Sequence, residues 1–181
     1  SLKEKLDDLV RKSDDTNKDL EEKARRLVED AKRVLKELED KSRRLVEEAR
    51  KVLKRLEEEG IDKRLLEELE RLIDEVRKKN KESLDRLRKL IDDVRKRLEE
   101  ILERNRRLVK EVEDRARTVN SDDKKIKELI EELEDLDRRS KKAVEDLIKE
   151  LKKLIDEVRE IHDRLEEELR RLIKTVRDKA R

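Results

Sequence analysis

The sequence lacks several residue types altogether: it has no Cys, Phe, Trp, Tyr, Met or Pro, and only one Gly. Without cysteine there is no disulfide framework, and no thiolate to bind a metal or act as a nucleophile. Without aromatic side chains there is no platform on which nucleobases stack. The sequence also has no apolar run of 18 residues and no secretory signal pattern. We therefore expect no membrane segment, and a soluble chain compatible with cytoplasmic expression.

Charged residues are the most abundant class in the chain. Charged residues make up 60% of the chain and apolar residues 32%, a balance typical of disorder unless the apolar residues are placed efficiently. Leu, Glu, Lys and Arg are abundant, which favours long helices. The 55 basic and 53 acidic residues are interleaved along the chain, whereas a nucleic-acid-binding protein concentrates basic charge on one face. The charge pattern therefore predicts solvated helix surfaces, with no nucleic-acid or membrane partner.

An internal repeat of 18 residues organises the chain. Residues 20–37 read LEEKARRLVEDAKRVLKE, and residues 38–55 read LEDKSRRLVEEARKVLKR, identical at most positions. Similar 18-residue units follow one another in residues 65–118 and 125–178. Eighteen residues make five turns of a helix with 3.6 residues per turn, so apolar positions keep their phase along a straight helix. The repeat predicts long helices, each with one apolar stripe.

Two short segments interrupt the repeat and predict turns. The segment EEEGID contains Gly60, which suits the left-handed position after a helix, and Asp62, which suits the cap of the next one. The segment TVNSDD contains Asn120 near a helix end, with Ser121 or Asp122 as the following cap. The chain is therefore expected to contain three helices joined by short loops.

The predicted fold class is all-α: an up-down-up antiparallel three-helix bundle of long, nearly straight helices. Short loops make sequential helices antiparallel, so the first and third helices run parallel. Each apolar stripe covers about 120–140° of its helix, which is wide enough to touch two neighbours. The predicted organisation is a single domain, residues 1–181, with helix 1 at about 2–58, helix 2 at about 62–117 and helix 3 at about 122–180.

Polar residues replace apolar ones at scattered positions of the repeat. Asn17, for example, is equivalent to Leu35 and Leu53. The stretch SDDTN has turn-favouring residues, but the apolar phase continues through it, which indicates the middle of helix 1 rather than a loop. Folding the chain at its two turns puts Asn17 level with Asp137. One predicted layer contains Ser13, Thr16, Asn17, Asn105, Asp137 and Ser140, and the other contains Ser42, Asn80, Ser83 and His162.

We expect these layers to be buried hydrogen-bond networks that hold the helix register. A buried polar group without a partner costs about 1 to 3 kcal/mol, a penalty that mutually satisfied groups avoid. Sliding one helix by a whole repeat would keep the apolar contacts but would bury Asn against Leu. The layers are therefore interpreted as structural.

The chain resembles de novo designed helical bundles over its whole length. The resemblance rests on near-ideal 18-residue repeats, Leu/Ile/Val/Ala stripes, Glu/Lys/Arg surfaces, the minimal loops EEGID and VNSDD, and the polar layers. It implies a three-helix monomer, or a three-helix component that accepts a separate fourth helix, and no native localisation. Natural spectrin-like three-helix repeats are a poorer match because they carry aromatic core residues, and this chain has none.

His162 is the only histidine and the obvious candidate for chemistry near neutral pH. A general base or a metal ligand needs partners. Arg159 stands where a di-metal Glu-x-x-His pattern requires Glu, and Glu166 lies one turn further on. We therefore predict a network role for His162, with no catalytic, cofactor-binding or metal-binding residues, no cofactor and no enzyme activity. A single histidine gives a pH switch little leverage.

Two functional hypotheses follow. The first is a structural scaffold without a natural biochemical function: a very stable, thermostable monomer that requires no partner. The second is a three-helix binding module that accepts a partner helix or self-associates. The wide stripe of helix 3 mildly favours a partner; it is extended by Ile130, Ile148, Ile155 and Ile173. The closed triangular core expected from stripes of this width favours the scaffold.

Overall fold

The computed structural model describes residues 1–120 and 122–179, which contain three helices and no strand. The helices are α1, Leu2–Glu58; α2, Lys63–Thr118; and α3, Asp123–Lys179. The prediction of an all-α three-helix bundle is confirmed. The predicted cap at Ser121 and the predicted end of helix 3 at residue 180 lie outside the described residues.

A Schellman motif ends α1. Gly60 has a φ of 74°, in the left-handed region that glycine enters without a steric penalty. Its N–H donates to the carbonyl of Glu57 over 3.1 Å, and the N–H of Ile61 donates to the carbonyl of Leu56 over 3.3 Å. These two bonds satisfy carbonyls that the helix end would otherwise leave unpaired. The left-handed residue predicted at Gly60 is confirmed.

Aspartate side chains cap the starts of α2 and α3. Asp62 Oδ1 accepts a hydrogen bond from the N–H of Arg64 over 3.2 Å. Asp122 Oδ1 accepts one from the N–H of Lys125 over 3.4 Å. Each bond satisfies an N–H that has no partner within its own helix. Asn120 precedes the second cap with a φ of 54°, a left-handed conformation that asparagine tolerates better than most residues.

The chain forms two compact units, each built from a stretch of all three helices. Unit 1 comprises Ser1–Asp30 and Ile91–Glu150, and unit 2 comprises Ala31–Leu90 and Leu151–Arg181. Each unit has its own apolar core and its own polar core residues.

In unit 1, α2 and α3 run antiparallel. Arg97 pairs with Glu150 over 3.5 Å. Arg115 pairs with Glu132 over 3.0 Å. Residue numbers therefore rise along α2 as they fall along α3. The core between these helices and α1 includes the buried side chains of Leu6, Val10, Val109, Val112, Leu129 and Leu133.

In unit 2, α1 and α2 run antiparallel. Arg88 pairs with Glu39 over 2.5 Å, and Arg50 approaches Asp74 to 4.0 Å. Residue numbers therefore rise along α1 as they fall along the facing part of α2. The core here includes the buried side chains of Leu45, Leu56, Leu69, Ile73, Leu165 and Leu169.

The surface of the described residues is polar, and none of their large hydrophobic side chains is exposed. Burying a Leu, Val or Ile side chain contributes about 1.5–3 kcal/mol, whereas an exposed ion pair contributes about 0–1 kcal/mol. The apolar stripes, more than the many ion pairs, therefore stabilise the fold. Within the described residues, no helix has a segment that is both long and apolar enough to cross a lipid bilayer.

Candidate functional site: the buried polar layers

Two side-chain hydrogen bonds join the three helices of unit 1. Ser13 Oγ on α1 donates to Asp137 Oδ2 on α3 over 3.2 Å. Ser140 Oγ on α3 donates to Asn105 Oδ1 on α2 over 2.9 Å. Asp137 and Ser140 are neighbours on the surface of α3 because three residues separate them. Within the polar layer, α3 therefore bonds to both α1 and α2, and the exposed Arg106–Glu21 ion pair of 2.6 Å joins α1 and α2 directly at the surface.

The six residues predicted for the first layer all lie in unit 1 but differ in burial. Buried are Ser13, Asn17, Asn105 and Ser140, and partly buried are Thr16 and Asp137. Asp137 accepts its hydrogen bond from Ser13, which lies one helical turn before Asn17, the residue predicted to be level with Asp137. Across the described residues, no side-chain hydrogen bond joins Thr16 or Asn17 to the other four.

Asp137 is a partly buried carboxylate. Desolvation raises the pKa of Asp137 above its ordinary value of 3.8, because burial disfavours the charged form. The hydrogen bond from Ser13 acts in the opposite direction, as do the charges of Lys141 and Lys12. The Ser13 hydroxyl therefore stabilises a charge that the surroundings otherwise disfavour.

Two amide groups in this layer have a buried donor without a partner. They are the Nδ2 atoms of Asn17 and Asn105. An unsatisfied buried donor costs about 1–3 kcal/mol. The layer is thus partly satisfied: its two serine hydroxyls donate to acceptors, and its two amide nitrogens have none.

The second layer lies entirely in unit 2 and is bonded differently. Asn80, Ser83 and His162 are buried, and Ser42 is partly buried. Ser83 Oγ donates to the backbone carbonyl of Asn80 over 3.0 Å, within α2 itself. Serine hydroxyls commonly bond to the preceding turn of their own helix, and this bond takes up the hydroxyl hydrogen. Among the described side chains, no hydrogen bond joins these four residues across helices.

His162 occupies the core position of α3 in this layer and is only 4% exposed. Its Nδ1 is buried without a hydrogen-bond partner. Its Nε2 lies 3.6 Å from Glu166 Oε2, beyond ordinary hydrogen-bond distance. Desolvation lowers the pKa of His162 below 6.5, and the charge of Lys41 lowers it further, whereas Glu166 and Asp163 raise it. The net effect favours the neutral imidazole.

His162, Asp163 and Glu166 bring one imidazole and two carboxylates together. Their candidate ligand atoms all lie within 4.8 Å of one another. These residue types can hold a metal ion. The sequence reasoning noted Glu166 but not Asp163, which directly follows His162 and lies three residues before Glu166. The i, i+1, i+4 spacing on a predicted helix was the signal that could have identified the cluster.

An open groove of about 330 Å³ lies between α2 and α3 of unit 1. Asn105 and Ser140 contribute to its lining, together with the partly buried Leu108 and Leu136. Arg and Glu side chains form its rim. The groove leaves part of the apolar surface between α2 and α3 accessible.

The hydroxyl groups of Ser13 and Ser140 are poorly placed for catalysis. Ser13 has an exposure of 0%, so its Oγ cannot reach a substrate without local unfolding. Ser140 donates to an amide oxygen rather than to a base, whereas an activated serine needs an adjacent general base. The geometry of both residues therefore favours a structural role.

Comparison with known proteins found no matching family model, curated protein or solved structure. The class of protein is defined by the fold itself: an all-α three-helix bundle with polar residues buried in the core of each unit.

Proposed function

We propose that the chain is a designed structural scaffold without a natural biochemical function, in which buried polar residues specify the helix register. The observation that carries this proposal is the linkage of all three helices of unit 1 by the Ser13–Asp137 and Ser140–Asn105 hydrogen bonds. Both bonds connect side chains that are far apart in the sequence and replace apolar residues of the repeat.

The repeat explains why such a device is useful. A slide of α1 by 18 residues would put Ala31 in the place of Ser13 and Leu35 in the place of Asn17. Apolar contacts would survive, but Asp137 would lose the hydroxyl that bonds to it. Losing the partner of a buried polar group costs about 1–3 kcal/mol, and more for a charged group. The short loops also oppose a slide within one chain, so a slide requires the helix ends next to them to unwind.

The agreement between local and global features supports a designed origin. Both turns carry the residues their conformations require, the apolar stripes are in phase, and no large hydrophobic side chain of the described residues is exposed. Consistency of this kind is a criterion of protein design, and idealised backbones tend to be very stable. We expect cooperative thermal unfolding above about 70 °C, since mesophile domains commonly melt at about 45–65 °C. A lower midpoint would count against the design proposal.

A variant with an apolar first layer tests the register role. Five of its six polar residues, all but Thr16, are replaced by the residue at the equivalent repeat position: Ser13→Ala, Asn17→Leu, Asn105→Leu, Asp137→Ile and Ser140→Val. We call this protein the apolar variant. It should remain helical and resist denaturant better than the parent, but its amide NMR spectrum should contain more than one set of signals for unit 1. A single set of sharp signals would contradict the proposed role.

A second candidate function is a module that binds a partner helix or a second copy of itself. The groove between α2 and α3 of unit 1, with Leu108 and Leu136 partly exposed in it, favours this candidate. The lack of exposed large hydrophobic side chains in the described residues favours the scaffold. Light scattering coupled to size-exclusion chromatography distinguishes the two: the scaffold proposal predicts the mass of one chain, and a dimer or larger species would support self-association.

A further inference from the structure

We propose that His162, Asp163 and Glu166 form a binding site for a divalent transition-metal ion of the zinc class on α3 of unit 2. The site combines one imidazole nitrogen with two carboxylate oxygens, and its candidate ligand atoms lie within 4.8 Å of one another. The site goes beyond the scaffold role: His162 belongs to the second polar layer, but the two carboxylates belong to neither layer.

The distance between the first two ligand atoms suits tetrahedral coordination. His162 Nε2 and Glu166 Oε2 are 3.6 Å apart. Two atoms bound to a tetrahedral Zn²⁺ at 2.0–2.2 Å are separated by about 3.3–3.6 Å. An ion can therefore bridge these two atoms with little movement of either side chain. Asp163 is exposed, so its carboxylate is free to turn toward the ion, and water can complete the tetrahedron.

Glu166 is oriented by a second residue. Its Oε1 accepts a hydrogen bond of 2.6 Å from Arg170 Nη2, while its Oε2 faces His162. Metal-binding carboxylates are commonly held by such outer hydrogen bonds. Arg170 therefore acts as a positioning residue that leaves one oxygen for the ion. Its charge, and that of Lys41 on α1, oppose a cation and limit the affinity of the site.

His162 needs little rearrangement to coordinate a metal ion. It is 4% exposed, and neither ring nitrogen has a hydrogen bond to the described residues, so a metal at Nε2 displaces no hydrogen bond of the ring. The packing of the ring in the core also limits the rotational freedom that binding would remove.

The ligand set distinguishes between classes of ion. Calcium takes six to eight oxygen ligands, and magnesium requires near-octahedral oxygen coordination. Imidazole suits zinc, copper, nickel and related ions, and copper binds such sites more tightly than zinc. Zinc is the more informative probe because it has no redox chemistry and accepts three protein ligands plus water.

The test is a Zn²⁺ titration of the full chain without a polyhistidine tag, followed by NMR of the imidazole of its only histidine. We expect the ring signals of His162 to shift and to saturate at one equivalent of metal, with calorimetry giving the same stoichiometry. Glu166→Gln should weaken binding by at least about 10-fold, the effect typical of perturbing a metal site. Asp163→Asn should weaken it in the same direction.

The matched control is Glu167→Gln. Glu167 pairs with Arg171 over 2.6 Å as Glu166 pairs with Arg170, but it does not belong to the cluster. This variant should bind Zn²⁺ as the parent does, and circular dichroism should show that all three variants remain helical. The proposal would be overturned by ring signals that do not move in millimolar Zn²⁺. Equal weakening by Glu167→Gln and Glu166→Gln would also overturn it, because the metal would then be bound by surface carboxylates in general.

Discussion

Ser13 on α1 and Asp137 on α3 are joined by a hydrogen bond of 3.2 Å, although 124 residues separate them along the chain. Ser13 is fully buried, and Asp137 is partly exposed at the edge of unit 1. A contact between side chains so distant in sequence exists only when α1 and α3 have one particular register. The bond is therefore a direct reporter of the arrangement of the helices in this unit.

Removing the hydroxyl of Ser13 should lower the free energy of unfolding. Ser13→Ala leaves the Asp137 carboxylate without its hydroxyl donor, so the free energy of unfolding in urea should fall by about 1–3 kcal/mol. The pKa of Asp137, measured by carbon-detected NMR, should rise further. Ser42→Ala is the matched control, since the described residues give Ser42 no side-chain hydrogen bond, and it should change stability by less than about 0.5 kcal/mol. Equal effects of the two substitutions would argue against a special role for Ser13.

The ionisation of Asp137 should lower the stability of the fold as the pH rises. Because desolvation raises its pKa in the folded state above 3.8, the folded protein binds this proton more tightly than the unfolded chain does. The stabilising contribution is complete below pH 3.8 and is lost as the pH rises through the folded pKa. Relative to Asp137→Asn, whose side chain does not titrate, the parent should therefore gain stability on acidification across this window. Urea denaturation of both proteins from pH 7 to pH 3 measures the difference, and a difference of the opposite slope would contradict the assignment.

The ionisation of His162 in unit 2 should change stability in the opposite direction, with stability lost as the pH falls. Its pKa is lowered by desolvation and by Lys41, against the opposing charges of Glu166 and Asp163. The stability it contributes is therefore present above pH 6.5 and is lost as the pH falls toward the folded pKa. The protection factors of amide hydrogen exchange in unit 2, which are corrected for the intrinsic pH dependence of exchange, should fall over this range in the parent. They should fall less in His162→Val, which carries the residue found at the equivalent Val144. NMR titration of the single imidazole gives the folded pKa, and a value above 6.5 would refute this expectation.

The first turn depends on the backbone freedom of Gly60. A Cβ built at this residue meets no atom within 4 Å, but φ is +74°. Gly60→Ala should therefore destabilise the protein through backbone strain alone, by about 1–2 kcal/mol. Asn120→Gly is the complementary change, because it relieves a left-handed non-glycine residue with a φ of 54°, and it should be neutral or stabilising. Differential scanning calorimetry compares them, and an unchanged midpoint for Gly60→Ala would contradict the strain argument.

Sequence periodicity was sufficient to predict the three helices and their turns. The 18-residue repeat, Gly60 and the aspartate caps are local signals, and helix formation depends largely on such signals when an apolar stripe is present. The separation of polar residues into one set per unit also followed from counting along the repeat.

The hydrogen bonds inside each layer could not be predicted from the sequence. Whether Ser83 donates to its own helix or to a neighbour depends on side-chain rotamers, and the structure places the bond on the carbonyl of Asn80. Which of Ser13, Thr16 and Asn17 bonds to Asp137 depends on a displacement of about one helical turn, which residue counting does not resolve. The structure pairs Asp137 with Ser13. The association of Asp163 with His162 depends on the direction of a carboxylate at the surface. The alternative bonds differ by a few ångströms in the positions of side-chain atoms, and the 18-residue repeat is compatible with any of them.

The central claim is that the polar residues of unit 1 hold α1 and α3 in one register. Spin labels at Asp15→Cys and Arg138→Cys, both exposed positions in a chain without other cysteines, allow the interhelical distance to be measured by double electron–electron resonance. The parent should give one narrow distance distribution. The apolar variant should give a second population, since a slide by one 18-residue repeat moves a helix about 27 Å along its axis. If the apolar variant keeps the single distance of the parent, the loops alone hold the register and the claim is wrong.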